Sequence, residues 1–153
     1  MTDNISDLLE PARINLELKG RKTGEVLKEL VDILTGTGEL TNPGDVYRDL
    51  LERERSVSTG VGDGIAIPHA FSPKIDRTIM AFGRCNHGAR FNAVDNKPVK
   101  LFFLMLGPTE AHTDHLRILS RLSRLLHDTK LRKGLLSARS PEEVIELIRR
   151  KEV

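Results

Sequence analysis

The sequence predicts one α/β domain in which helices cover both faces of a mixed β-sheet. Residues 99–106 form an almost unbroken apolar run, which is typical of a strand that is buried on both faces. On either side of this run, apolar residues recur at helical spacing, first in residues 26–34 and later in residues 118–126. Strands interspersed with such amphipathic helices predict a sheet packed between two helical layers.

The N-terminal half is predicted to contain one strand followed by two helices. Apolar and polar residues alternate over residues 14–18, which indicates a half-buried strand. The apolar stripe of residues 26–34 predicts the first helix, and two glycines close behind it are typical of a helix end. Asn42 as N-cap and Pro43 at the first helical position begin a second helix, which runs to about Arg55.

The C-terminal half is predicted to contain two strands and three helices. Residues 78–84 form a strand, and the turn residues at 94–98 separate it from the apolar run already described. A helix then begins between residues 109 and 113, and a short helix covers residues 130–136. Residues 140–143, Ser-Pro-Glu-Glu, form a capping box that begins the last helix.

The most informative segment is Gly-Asp-Gly-Ile-Ala-Ile-Pro-His at residues 62–69. A polar, glycine-rich loop or ribbon at 56–64 leads into a short strand at 65–67. Pro68 has no N–H group and is expected to end this strand, so that His69 comes directly at the strand end. An imidazole held there by a stiff backbone suits nucleophilic or acid–base chemistry near neutral pH, although a histidine that merely caps the strand fits the same pattern.

Composition excludes several classes of protein. The 153 residues suffice for one domain, which we place at residues 5–150, with tails at 1–4 and 151–153. A net charge of +2 and few aromatic residues argue against nucleic acid as a partner. No apolar stretch is long enough for membrane insertion, and the N-terminal residues do not resemble a secretory signal. A single cysteine, Cys85, fits the reducing cytoplasm, and we expect it to fill a buried strand position.

The other four histidines have weaker contexts. His115 lies one helical turn before the apolar stripe of its helix, so it is expected to point toward the sheet. His112 lies nearer the start of that helix and is expected to be solvated. His127 ends the helix, where a cation complements the helix dipole, and His87 is predicted to lie in a turn.

Two further sets of residues carry possible chemistry. His69, His112 and His115 allow a metal hydrolase as a lesser alternative, but they lack a recognised metal-ligand spacing, so no metal or other cofactor is predicted. Arg53 lies near the end of the second helix, where the chain turns into the loop before His69, and is predicted to reach the imidazole.

With these residues in view, the chain resembles the fructose–mannitol type of enzyme IIA of the bacterial phosphotransferase system, and most closely its nitrogen-regulatory members. The resemblance covers nearly the whole chain. It departs from the family at Ala70, where many members have glycine, and at the additional His112. The matching segments, in the family's order, are residues 50–54, 58–69, 95–99 and 115–119.

The resemblance implies the family's fold, a mixed sheet between helices, and a cytoplasmic phosphocarrier. His69 matches the histidine that is phosphorylated at Nε2, His115 the second active-site histidine, and Arg53 the nearby arginine. The implied donor is the phosphocarrier HPr or a relative, and the implied acceptor is an enzyme IIB. The alternative is a regulatory module whose phosphorylation state switches its binding to target proteins.

Overall fold

A six-stranded mixed sheet lies between two helical layers, as the sequence predicts. The computed structural model describes residues 4–56, 59–91 and 96–152. Two short 3-10 turns, Ile5–Leu8 and Pro11–Arg13, precede the first strand. The strands are β1 (Ile14–Asn15), β2 (Gly60–Gly62), β3 (Ile65–Ala66), β4 (His69–Phe71), β5 (Ile79–Ala89) and β6 (Val99–Gly107). The helices are α1 (Thr23–Gly36), α2 (Pro43–Ser56), α3 (His112–Leu126), α4 (Thr129–Ser137) and α5 (Pro141–Glu152).

Strand β6 organises the sheet. The strand order is β1-β5-β6-β3-β2, and β4 also pairs with β6. Strands β5 and β6 are antiparallel, whereas β3 and β4 both run parallel to β6 along its other edge. The short strand β1 is parallel to β5 and forms the opposite end of the sheet. Because β3 and β4 share one partner strand, the segment that contains His69 is aligned by β6.

Both faces of the central strands are buried, each against a different helical layer. Phe102, Leu104 and Leu106 of β6 pack in the cluster that contains the apolar residues of α1 and α2. The alternating residues, such as Phe103 and Met105, pack in the cluster formed with α3, α4 and α5. Successive side chains of a strand point to opposite faces, so this one apolar run supplies both cores.

Three details of the strands differ from the predictions. The first strand is only two residues long, rather than spanning 14–18, because regular pairing with β5 ends at Asn15, although the backbone N–H of Leu18 still donates to the carbonyl oxygen of Arg84 at 2.9 Å. His69 does not lie beyond the end of a strand but begins β4, since pairing with β6 resumes immediately after Pro68. His87 lies within β5 rather than in a turn, because this strand continues to Ala89 through an irregularity in its pairing with β6.

The helix starts agree with the predicted signals with one exception. Helix α2 begins at Pro43, but the side-chain oxygen of Asn42 is buried without a hydrogen-bond partner, and its Nδ2 donates to Oγ of Ser72 at 3.1 Å. Asn42 therefore forms no side-chain cap. At α5, Oγ of Ser140 accepts a hydrogen bond from the backbone N–H of Glu143 at 3.1 Å, as a capping box requires.

The predicted turn at 94–98 lies partly outside the described residues. Asn96, which the structure describes, has φ of 57°, the left-handed conformation expected of a turn asparagine. Among the described residues, no helix has the length and apolar character needed to cross a membrane.

Gly83→Ala is expected to lower the free energy of unfolding by about 1–2 kcal/mol, because an added Cβ would overpack the core. That atom would lie 2.6 Å from Cδ1 of Leu18 and 2.8 Å from Cδ2 of Leu30, and both leucines are buried. Urea unfolding measures the difference. Gly36→Ala is the control, since no atom lies within 4 Å of the added Cβ in this helical residue. Equal stability of the two variants would contradict the prediction.

Candidate functional site

The site centres on His69, whose imidazole has one nitrogen engaged by the backbone. The residue is half-buried at the start of β4, and its ring Nδ1 lies 2.9 Å from the carbonyl oxygen of Ile67. A carbonyl oxygen only accepts hydrogen bonds, so Nδ1 carries the proton and donates it. In the neutral ring, Nε2 is therefore left with its lone pair available.

The backbone around Pro68 fixes this geometry. The carbonyl oxygen of Pro68 accepts a hydrogen bond from the backbone N–H of Met105 at 3.0 Å, which holds the segment between β3 and β4 against β6. The carbonyl oxygens of Gly64 and Pro68 both accept hydrogen bonds from β6. Carbonyl groups of successive residues point in opposite directions along an extended segment, so the carbonyl of Ile67 points away from β6. This carbonyl accepts the hydrogen bond from His69 instead.

His115 is buried beneath the site, as the sequence predicts. It lies in the first turn of α3 and is 1% exposed. Its Nε2 is 3.2 Å from Oγ1 of Thr78, whereas its Nδ1 is buried and has no hydrogen-bond partner among the described residues. The ring packs tightly on Gly107 at the end of β6, where an added Cβ would lie only 2.2 Å from Nε2. Only glycine at position 107 leaves room for this imidazole.

Burial keeps the His115 ring neutral. Loss of solvation, followed by the nearby His69, lowers the pKa of His115 from 6.5 to about 4, and Asp114 offsets part of this effect. At neutral pH the ring is therefore uncharged and can act as a hydrogen-bonding group without adding a fixed positive charge.

Phe71 connects several of these groups and was not singled out from the sequence. Its ring centroid lies 3.9 Å from that of His112, in a stacked arrangement, and 4.6 Å from that of His115. The guanidinium carbon of Arg53 lies 5.7 Å from the same ring centroid, within the range of a cation–π contact. Phe71 is two residues from His69 in β4, so the two side chains share one face of the strand.

Arg53 and His69 line the same cleft, which has a volume of about 470 Å³. Arg53 lies in the last turn of α2 and is partly exposed. Its Nε donates to Oδ2 of Asp49 at 3.0 Å, one helical turn earlier. The structure thus brings Arg53 to the cleft, with its side chain held between Asp49 and Phe71.

A buried carboxylate beside the imidazole is a second feature that was not singled out. Glu54 is 8% exposed and accepts hydrogen bonds from the backbone N–H of Thr59, at 3.0 Å, and from its hydroxyl. Burial raises the pKa of Glu54, while the bonds from Thr59 and the electrostatic influence of His69 oppose the rise. The only sequence signal was a glutamate next to Arg53 at the end of an amphipathic helix.

The remaining histidines lie at the edge of the site or away from it. His112 is exposed, as predicted, and stacks on Phe71, whereas His127 lies at the C-terminal end of α3. Nε2 of His87 lies 3.2 Å from the carbonyl oxygen of Gly20, away from the site. Within residues 4–56, 59–91 and 96–152, no three His, Cys, Asp or Glu side chains are grouped so that they could hold a metal ion.

The fold and site thus define an α/β protein with a tautomer-fixed histidine at an open cleft and a second, neutral histidine below it. Residues 7–151 match the family described as phosphoenolpyruvate-dependent sugar phosphotransferase system, EIIA 2. The chain belongs to this family.

Individual relatives support the same assignment. The PTS system fructose-specific EIIABC component of Bacillus subtilis is 37% identical over 94% of this chain, but the chain spans only 23% of that protein's length. A nitrogen regulatory protein of Bradyrhizobium diazoefficiens is 36% identical over 94% of each chain. The crystal structure of nitrogen regulatory protein IIA-Ntr from Neisseria meningitidis superposes with a TM-score of 0.87 and 32% identity, covering 94% of this chain and 98% of that one.

A more distant structure shows the same fold. The complex of mannitol enzyme IIA and phosphorylated enzyme IIB from Escherichia coli contains a chain that matches with a TM-score of 0.77 and 22% identity, covering 92% of this chain and 96% of that one.

The low pKa of His115 predicts a loss of stability in mild acid. Its native pKa of about 4 lies below the ordinary 6.5, so the unfolded chain binds the proton first as the pH falls. The contribution is complete above pH 6.5 and is lost between pH 6.5 and about 4, by about 2–3 kcal/mol. Urea unfolding across this range measures it.

The control compares two histidine variants. His115→Asn is expected to flatten the pH dependence, whereas His127→Asn, which replaces an exposed ring at the end of α3, is expected to retain the wild-type slope. Identical slopes for His115→Asn and the wild type would contradict the assignment.

Proposed function

We propose that this protein is a phosphocarrier that accepts a phosphoryl group on Nε2 of His69 from HPr or a related carrier. The group then passes to an enzyme IIB or remains as a regulatory mark. The observation that carries the proposal is the hydrogen bond from Nδ1 of His69 to the carbonyl oxygen of Ile67, at 2.9 Å. It leaves Nε2 unprotonated in the neutral ring, and this is the nitrogen that can attack phosphorus.

The chemical step requires little from the protein beyond positioning and charge. The Nε2 lone pair forms the bond to phosphorus while the donor's bond to phosphorus breaks, and the proton on Nδ1 stays in place. The phosphorylated ring then carries positive charge. The carbonyl of Ile67 and the buried carboxylate of Glu54 are placed to stabilise that charge.

His115 and Arg53 are the groups we assign to the phosphoryl oxygens. The neutral His115 supplies a hydrogen-bond donor from a rigid position, since Gly107 and Phe71 confine its ring. Arg53 supplies the fixed positive charge, and its guanidinium matches the geometry of phosphate oxygens. The ion pair with Asp49 moderates this charge in the absence of phosphate. A site with few uncompensated cations retains the phosphoryl group without binding it irreversibly.

Protein partners require a docking surface around the site, and two exposed apolar side chains offer one. Val61 of β2 is 55% exposed, and Leu116, next to His115 on α3, is 68% exposed. Apolar contacts in the centre of a small interface give specificity while permitting rapid dissociation. One structural neighbour, the mannitol enzyme IIA, has been solved in complex with phosphorylated enzyme IIB, which supports a IIB domain as an acceptor.

A regulatory role is the second candidate, and the similarity to nitrogen regulatory proteins favours it. One such relative aligns over 94% of both chains. The same site serves this role, because a doubly negative phosphoryl group on His69 would change the charge of the proposed docking surface and hence its partners. The carrier and regulatory roles share the phosphorylation step and differ in the fate of the phosphoryl group.

His69→Ala is expected to abolish phosphorylation. Incubation with a phosphotransferase donor system and labelled phosphoenolpyruvate should give a stoichiometric, acid-labile and base-stable label on the wild type and none on the variant. His127→Ala, at an exposed position on the same chain, is the control and should be labelled normally. Undiminished label in His69→Ala, or no label on the wild type, would refute the proposal.

The labelled protein then separates the two candidate roles. Transfer of the label to an enzyme IIB supports the carrier role. Stable retention in the presence of IIB, together with partner binding that differs between labelled and unlabelled protein, supports the regulatory role.

Leu116→Ser is expected to raise the KM for the phosphorylated donor about tenfold and leave the maximal rate nearly unchanged, because it removes an apolar docking contact but no reacting group. The matched control is Leu136→Ser, which replaces another exposed leucine, 40% exposed, on α4 rather than on the helix that carries His115. Steady-state phosphorylation kinetics measure both variants. Equal effects of the two substitutions would exclude a specific docking role for Leu116.

A further inference from the structure

A second and larger cleft lies at the β1 end of the sheet, away from His69. Its volume is about 1040 Å³, and it is bordered by β1, the C-terminal end of α1 and the start of α5. Charged side chains line it, among them four arginines that differ in how their charges are met: Arg13, Arg77, Arg84 and Arg139.

Arg84 is buried, and only part of its guanidinium has a partner. The residue lies on β5 and is 8% exposed. Its Nη1 donates to the carbonyl oxygens of Leu135, at 3.0 Å, and Ala138, at 2.7 Å, at the C-terminal end of α4. Its Nε is buried with no hydrogen-bond partner, and Nη2 donates to no residue that the structure describes.

The two unused nitrogens form one functional unit. Nε and Nη2 make up the lateral edge of a guanidinium, which binds a carboxylate or phosphate through two parallel hydrogen bonds. A buried donor without a partner costs free energy, and Arg84 is one of the residues that line the cleft, so its unused lateral edge is a candidate contact for an oxyanion.

Arg13, by contrast, is already neutralised by the protein. It is 4% exposed, and its Nη1 lies 2.9 and 3.0 Å from the two carboxylate oxygens of Glu39. Its Nε is also buried without a partner, but its Nη2 donates to the carbonyl oxygen of Leu8 at 3.0 Å, so its lateral edge is not free as a pair. Arg77 also contacts Glu39, at 2.7 Å, and the charge of these arginines lowers the pKa of the glutamate against the effect of burial. This network gives the cleft a fixed wall and leaves no strong attraction for a ligand there.

The surplus positive charge lies on the wall that contains Arg84. Arg139 comes directly after Ala138, whose carbonyl holds Arg84, and its guanidinium is ion-paired with no residue that the structure describes. Among the lining carboxylates, Asp32 pairs with Lys28 and Glu10 approaches Arg13, as Glu39 does. Glu17 is the remaining carboxylate of the lining, and the guanidinium groups of Arg84 and Arg139 have no carboxylate partner among the described residues. The charge of this part of the cleft therefore favours an anion.

We propose that this cleft binds a small organic or inorganic oxyanion, a carboxylate or a phosphate, on the lateral edge of Arg84, with Arg139 as a second contact. The site is separate from His69. Arg84 lies four residues along β5 from Met80, and Met105 of β6 pairs with both Met80 and His69. This corresponds to about 13 Å along the strands and about 10 Å across them. The proposal holds whether or not His69 is phosphorylated.

The test is an NMR titration of the full chain with inorganic phosphate and, separately, with succinate, at ionic strength held constant with chloride. The expected result is a saturable shift of the Nε–Hε signal of Arg84 and of the amide signals of β1 with at least one probe. Arg84→Lys keeps the charge and a donor for the α4 carbonyls but lacks the lateral edge, so it should weaken binding at least about tenfold. Arg139→Ser, at an exposed position, tests the second contact without disturbing the core.

The controls separate this site from the one at His69. Arg150→Lys, an exposed arginine further along α5 that pairs with Glu146, should bind the probes like the wild type, and so should His69→Ala. Which probe saturates distinguishes a carboxylate ligand from a phosphate. The proposal is overturned if neither probe saturates at millimolar concentration. It is equally overturned if binding survives both Arg84→Lys and Arg139→Ser, or disappears in His69→Ala.

Discussion

The hydrogen bond from the His69 ring to the carbonyl of Ile67 is the constraint on which the chemistry of the site depends, because it decides which nitrogen is free. An imidazole that rotates freely populates both tautomers and presents either nitrogen to solvent. Here the acceptor lies only two residues before the histidine, so its position is set by the local backbone. That backbone is in turn held by β6, whose Met105 donates to the carbonyl of the intervening Pro68. The orientation of the ring is therefore a property of the sheet.

Around the imidazole of His69, positively and negatively charged side chains lie close together and offset one another. Arg53 is paired with Asp49, Glu54 is buried beside the imidazole, and His115 is kept neutral by burial. A doubly negative group on Nε2 would meet one guanidinium and a neutral imidazole, while Glu54 would face the positive ring. Such a balance suits a transferable phosphoryl group better than a cluster of free cations would, because excessive stabilisation of the phosphorylated state would slow onward transfer.

The sequence predicted the layers and the helices, because strong local signals define each of them. It also predicted that Arg53 lies near His69 and that His115 points toward the sheet, and the structure places both residues so, while the roles of the three residues stay predictions. The apolar run of β6 indicates burial on both faces, and the segment before His69 has a specific combination of glycine, apolar residues and proline. Features that depend on contacts across the fold escaped prediction. Strand pairing that resumes after a proline, as at His69, and a strand that continues through His87 are set by β6 and not by the local sequence. The same holds for Gly107, whose role depends on a helix that begins five residues later in the chain.

Phe71 shows why such tertiary contacts matter for the additional histidine. A third imidazole near the site first suggests a metal ligand. The ring of His112, however, stacks on Phe71 at 3.9 Å, and His112 is exposed whereas His115 is buried. The same aromatic ring contacts His115 and lies under Arg53. An aromatic side chain has few rotatable bonds, so it orders its neighbours at a small cost in entropy. Phe71 thus helps to position an arginine and two histidines by packing, and its stacking with His112 links the additional histidine to this cluster.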